Sequence, residues 1–127
     1  MQTAQHWMLP KESTSPTSAR RHLAASCTGL PRDMVEIALL LTSELVTNAV
    51  KYGGQHITLT VRDEADLFRV EVHDDGPRAP RVAAPGSHAV GGRGLLLVES
   101  LAHEWGTSAG APAEGGKSVW FTLRKRS

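Results

Sequence analysis

The chain has one cysteine, Cys27, so it cannot form an internal disulfide, and no apolar run approaches the roughly 20 residues a bilayer-spanning helix needs. Its first residues, MQTAQHWMLPKE, lack the basic stretch and apolar segment of a secretory leader, and the expected location is the cytoplasm. A formal net charge of +1 gives no strong bias towards nucleic acid or membrane. The six histidines show no metal-ligand spacing, and there is no internal repeat. What is present is an ordinary globular composition, 40% hydrophobic and 21% charged over 127 residues, enough for one domain with a core and too short for two. We therefore read residues 1–127 as a single domain.

Residues 6–9 read as a short strand closed by Pro10, followed by a polar loop over 11–18. A helix is expected next, capped by Ser15 or Thr17 and stopped near Gly29 before Pro31. The strongest periodicity follows: Met34, Ile37, Ala38, Leu41, Leu45, Ala49 and Tyr52 recur at three and four residues between Pro31 and Gly53-Gly54, which predicts a central helix. HITLTVR and LFRVEVHD alternate apolar and polar residues around a turn at 63–66 and predict an antiparallel hairpin. Residues 75–93 are rich in Pro and Gly and read as an irregular loop; GLLLVESL reads as a helix, and 103–108 and 117–124 as two strands. The expected architecture is α+β: a two-layer sandwich in which about three helices cover one face of a mainly antiparallel sheet.

Glu44 and Asn48 are four apart and share one face of the central helix, at the border of its apolar stripe. Taken alone they are better read as the solvated end of that stripe, or Glu44 as the partner of a basic residue. LFRVEVHD runs into Asp74-Asp75-Gly76-Pro77; a carboxylate at the strand end can accept a hydrogen bond from a ligand amine, although a plain DG turn explains the same letters. Gly91-Gly92-Arg93-Gly94 precedes a helix whose first N–H groups are unpaired and lie at its positive end, an arrangement suited to phosphate oxygens. It is not a Walker loop, and by itself it is equally a glycine hinge.

The order of these pieces is more specific than any one of them. ELVTNAVKYGG, VEVHDDGP, GGRGLLLV and GKSVWFTL, in that sequence, resemble the N, G1 and G2 boxes and closing strand of the GHKL (Bergerat-fold) ATPases, over roughly residues 7–123. The small format with an N-terminal strand and helix is similar to the anti-sigma factor serine/threonine kinases and the single-domain ATP-binding regulators of actinobacteria. The resemblance implies bound ATP and Mg2+, with Asn48 as a metal ligand and Glu44 as the general base. It further implies that Asp74 reads adenine beside Gly76, that Gly92, Arg93, Gly94 and Leu95 line the phosphates, and that Ser118 stands near the base. Residues 78–90 would form the lid over ATP.

The implied function is a regulator that binds a sigma factor or similar protein and phosphorylates a serine on a small antagonist. The alternatives are a non-catalytic ATP-dependent binding module and a slow ATPase. Direct nucleic-acid or membrane binding is not expected, and dimers are common among the related kinases. His22 and the Arg124-Lys125-Arg126 tail are read as solvated, and Trp7, Trp105 and Trp120 as core.

Overall fold

A computed structural model describes residues 3–27, 29–76, 92–109 and 116–125. In chain order the elements are β1 (Thr3–Pro10), α1 (Ser15–Ser26), α2 (Arg32–Tyr52), β2 (His56–Asp63), β3 (Leu67–Asp74), α3 (Gly92–Leu101), β4 (Glu104–Ala109) and β5 (Lys117–Arg124). The strands form one five-stranded sheet in the order β1-β2-β3-β5-β4, and every pairing is antiparallel. This is the expected α+β architecture of an open sheet with three helices. Among the described residues no helix is long and apolar enough to cross a membrane.

Period-two alternation decides which side of the sheet is covered. Ile57, Leu59 and Val61 of β2, Phe68, Val70 and Val72 of β3, and Phe121 and Leu123 of β5 are buried in one inward layer. They meet the apolar stripe of α2, running from Ala38 through Leu41, Leu45 and Val46 to Ala49, together with Leu23 of α1 and Val98 of α3. Residues between them in the strands, such as Arg69, Glu71 and Trp120, face the other way. Trp120 is therefore not a core residue, contrary to expectation: the Arg69 guanidinium lies 4.3 Å from its ring centroid, and Arg69 also pairs with Glu71. Trp7 and Trp105 do pack against the core.

Several local expectations shift for identifiable reasons. Helix α1 starts inside the stretch read as a loop, because Pro16 is tolerated in a first turn whose N–H groups have no helical partner. Neither Ser15 nor Thr17 caps it: Thr14 holds the cap position without a side-chain bond, and the buried Ser15 hydroxyl donates instead to the Pro10 carbonyl, tying the helix to the end of β1. The left-handed turn at Gly29 (φ 88°) falls three residues after the helix ends at Ser26. His22 is only partly solvated: it is half-buried and stacks on Trp7 with ring centroids 5.1 Å apart. Lys125 is not a free tail residue either, since its ammonium reaches both Asp63 and the Glu64 carbonyl. Cys27 is buried, and its thiol is pushed up to about 11, first by burial and then by the charge of Asp63, so it packs as a small hydrophobe.

Thr42, fully buried on α2, carries the one described side-chain oxygen that is buried without a hydrogen-bond partner. A desolvated hydroxyl with no partner costs free energy that a methyl of the same shape does not. Thr42→Val should therefore stabilise the fold by about 1 kcal/mol, raising the thermal midpoint by roughly 3–5 °C. Urea or thermal denaturation checks this, and a loss of stability would mean that the hydroxyl is satisfied by a buried water.

Candidate functional site

Asp74 occupies the last inward position of β3, in line with Phe68, Val70 and Val72. A carboxylate in that layer is costly unless donors replace its water. Three do. The Gly76 N–H donates at 2.8 Å, the Gly54 N–H at 3.3 Å and the Lys117 ammonium at 2.7 Å, and among the described residues all three reach the same oxygen, Oδ1. The Asp74 and Lys117 side chains are only 7% and 11% exposed.

Close approach at this point requires glycine. The α2–β2 connection passes directly over the end of β3: a Cβ on Gly53 would lie 2.7 Å from the Asp74 Cγ and 2.6 Å from the Ala49 carbonyl. A Cβ on Gly76 would lie 2.6 Å from the Gly54 nitrogen. The backbone of Gly54 cannot reach Asp74 if either position carries a side chain. Gly53 and Gly54, read from the sequence as a helix stop and as the end of the ELVTNAVKYGG motif, are thus parts of this contact. Lys11 adds a hydrogen bond to the Gly53 carbonyl at 3.2 Å.

The neighbouring Asp75 does different work. It points outward, accepts the His56 N–H at 3.0 Å and pairs with His56 Nδ1 at 2.6 Å, while its own N–H donates to the His56 carbonyl. These bonds, led by the backbone N–H of His56, lower its carboxyl from 3.8 to about 2. Asp75 latches the turn to the start of β2, which leaves Asp74 as the inward carboxylate.

The β3–β5 register places Lys117 across from Asp74 and Ser118 across from His73. The Ser118 hydroxyl lies 2.9 Å from His73 Nδ1, on the sheet face turned away from Asp74. The hydroxyl expected beside Asp74 is therefore replaced by an ammonium. Lys117 was not singled out from the sequence; its signal was its place at the start of a strand antiparallel to the one ending in Asp74, visible only once the register is known.

Glu44 and Asn48 are both half-buried on α2, one turn apart on one face. The C-terminal end of the helix abuts Asp74 through Gly53, so Asn48 lies about 7 Å and Glu44 about 13 Å back along the axis from that contact. Helix α3 begins at Gly92 and packs on α2, and the N–H groups of a first helical turn have no partner within the helix. The side chains of Arg93 and Leu95 and the expected lid, residues 78–90, lie outside the described part of the structure. Among the described residues no group of three or more His, Cys, Asp or Glu could hold a metal alone. A hard cation at the Asn48 amide oxygen therefore fits only if a ligand supplies further oxygens, as a triphosphate does.

An open antiparallel sheet with its helices on one face, and a carboxylate closing the innermost row, is the architecture of a GHKL ATP-binding domain. The histidine kinase-like ATPase domain family matches residues 9–123, and the chain belongs to that family. No curated protein matches it. Among solved structures it is similar to the RsbU and RsbW domains of a Mycobacterium tuberculosis protein, with a TM-score of 0.68, 20% identity, and coverage of 96% of this chain and 32% of that one. It is also similar to the histidine kinase domain of a blue-light activated histidine kinase from Erythrobacter litoralis, with a TM-score of 0.56, 21% identity, and coverage of 90% of this chain and 64% of that one. At these identities the likeness is one of fold. The chain spans about a third of the first structure and under two thirds of the second.

The latch at Asp75 makes a pH prediction. Because its carboxyl is lowered in the folded state, the stability it contributes is fully present above its ordinary value of 3.8 and is lost as pH falls towards about 2. Asp75→Asn should flatten the acid limb of a stability–pH curve between those values, as measured by urea unfolding at stepped pH. An unchanged limb would show that the His56 pairing does not couple to folding.

Proposed function

We propose that the domain binds ATP with Mg2+ and transfers its terminal phosphoryl group to a serine of a small partner protein, acting as a regulator of the anti-sigma kinase type. The observation that carries this reading is the order along one line: a buried acceptor at Asp74, then an amide at Asn48, then a carboxylate at Glu44. That is the order in which a nucleotide presents its base amine, its phosphates and its reacting end.

In this arrangement Asp74 accepts from the exocyclic amine of adenine, and Gly76 leaves room beside the ring. Asn48 contributes an amide oxygen to the metal, which supplies positive charge against the triphosphate. Gly92, Gly94 and the start of α3 offer backbone N–H groups to phosphate oxygens, with Arg93 able to add a charge-assisted contact. Glu44 takes the proton from the serine hydroxyl as its oxygen bonds to the terminal phosphorus and ADP leaves. The motif order resembling the anti-sigma factor kinases supports a protein serine as acceptor and a sigma factor or similar regulator as binding partner. The fold likeness to a chain containing an RsbW domain is in keeping with it.

Calorimetric titration tests the pocket. ATP should bind about 10- to 100-fold more tightly than GTP, whose ring carbonyl meets a carboxylate where adenine has an amine, the loss expected for a buried hydrogen bond to a charged group. Asn48→Ala should weaken ATP binding with magnesium present and change little in EDTA; an equal loss in both would remove it as a metal ligand.

For catalysis, Glu44→Ala should keep ATP affinity while lowering phosphorylation of a partner serine by roughly 10²- to 10⁴-fold. Transfer at the normal rate would sink the general-base assignment, and the domain would then be better read as an ATP-dependent binding module.

A further inference from the structure

Lys117 is the least expected residue of the candidate site. Its ammonium is almost wholly withdrawn from water, at the start of β5, and 2.7 Å from Asp74 Oδ1. An ion pair buried this deeply is weak evidence for stability, because apolar residues of similar volume often serve the fold as well. Asp74 also has two backbone donors from Gly54 and Gly76. The placement of a cation here therefore calls for a second account.

An ammonium has three N–H bonds, and Asp74 takes one of them. The described donors to the carboxylate all converge on Oδ1. Among the described residues, what the pair has left to offer is an acceptor, Oδ2 of Asp74, and a donor, Nζ of Lys117. The pairing edge of adenine carries the complementary order: the 6-amino group donates, and the adjacent ring nitrogen N1 accepts. In the same pose guanine presents a carbonyl to the carboxylate and a ring N–H to the ammonium, so both contacts turn unfavourable.

We infer that Lys117 is a specificity-determining residue that donates a hydrogen bond to N1 of the base while Asp74 accepts from the 6-amino group. This rests on the reading of Asp74 as the base acceptor given under Proposed function. Discrimination is stronger with two opposed contacts than with one, because a wrong base leaves two buried polar groups unpaired. The expected hydroxyl at Ser118 faces His73 and has no part in it.

The test is a set of titrations of the full chain with the magnesium salts of ATP, 1-deaza-ATP and GTP, for the unaltered protein and for Lys117→Met. In 1-deaza-ATP a C–H replaces N1 and the amino group is kept. The unaltered protein should bind ATP at least tenfold more tightly than 1-deaza-ATP, and Lys117→Met should bind the two alike. A residue that merely supports the fold would lower both affinities together and leave their ratio unchanged.

A full ratio retained in folded Lys117→Met overturns the inference. So does equal binding of ATP and 1-deaza-ATP by the unaltered protein, or GTP binding as tight as ATP. If the Met variant does not fold, Lys117→Leu, which also lacks a donor, makes the same comparison. If the unaltered protein binds no nucleotide, the reading of the pocket falls and takes Lys117 with it; a failed ratio with ATP binding intact removes Lys117 alone.

Discussion

A carboxylate buried at the end of a strand has to be surrounded by donors, and much of the local structure around Asp74 follows from that requirement. The nearest donors are the backbone N–H groups of Gly54 and Gly76. Reaching them brings the α2–β2 connection so close to the strand end that side chains at Gly53 and Gly76 would strike backbone or carboxylate atoms. The Gly-Gly after α2 and the Asp-Asp-Gly after β3 are therefore one device, although Gly54 and Asp74 are 20 positions apart in the sequence. Asp75 and His56 lock it from outside, so that the turn cannot open without breaking three further hydrogen bonds.

The same contact aligns α2 with the end of β3. Because the helix ends against Asp74, residues one and two turns further back lie at fixed distances from that carboxylate, and Asn48 and Glu44 inherit their place from the helical rise. The burial of Ala38, Leu41, Leu45 and Val46 prevents the helix from rotating, which keeps the Glu44–Asn48 face at the edge of the core. Packing and site geometry are in this sense one constraint: the apolar stripe that stabilises α2 also aims its polar edge.

Period was the most legible property of the sequence. The 3.6-residue stripe of α2 and the two-residue alternation of β2 and β3 located these elements with little error, because both signals come from the same buried layer. Glu44, Asn48, Asp74 and Gly76 were singled out through their order along the chain. Less legible were features set by partners distant in sequence. Pro16 and Ser15 looked like loop residues, because the bond from Ser15 to the Pro10 carbonyl is invisible in a linear reading. Gly53 and Gly54 looked like a helix stop for the same reason. The choice between Lys117 and Ser118 turned on a β-ladder register, which composition does not encode.

That choice shows how closely fold and chemistry are joined in this domain. Side chains in a strand alternate strictly, so slipping β3 by one residue would carry Asp74 to the open face and turn His73 inward. The slip is opposed by Phe68, Val70 and Val72, all of which would leave the core with it. The carboxylate is thus kept on the inward face by the hydrophobic cost of exposing three apolar neighbours, not by its own bonds alone. The same holds across the ladder: Phe121 and Leu123 keep β5 in register, and that register puts Lys117, rather than the hydroxyl one residue on, against Asp74. Apolar burial at one end of the two strands determines which polar groups meet at the other.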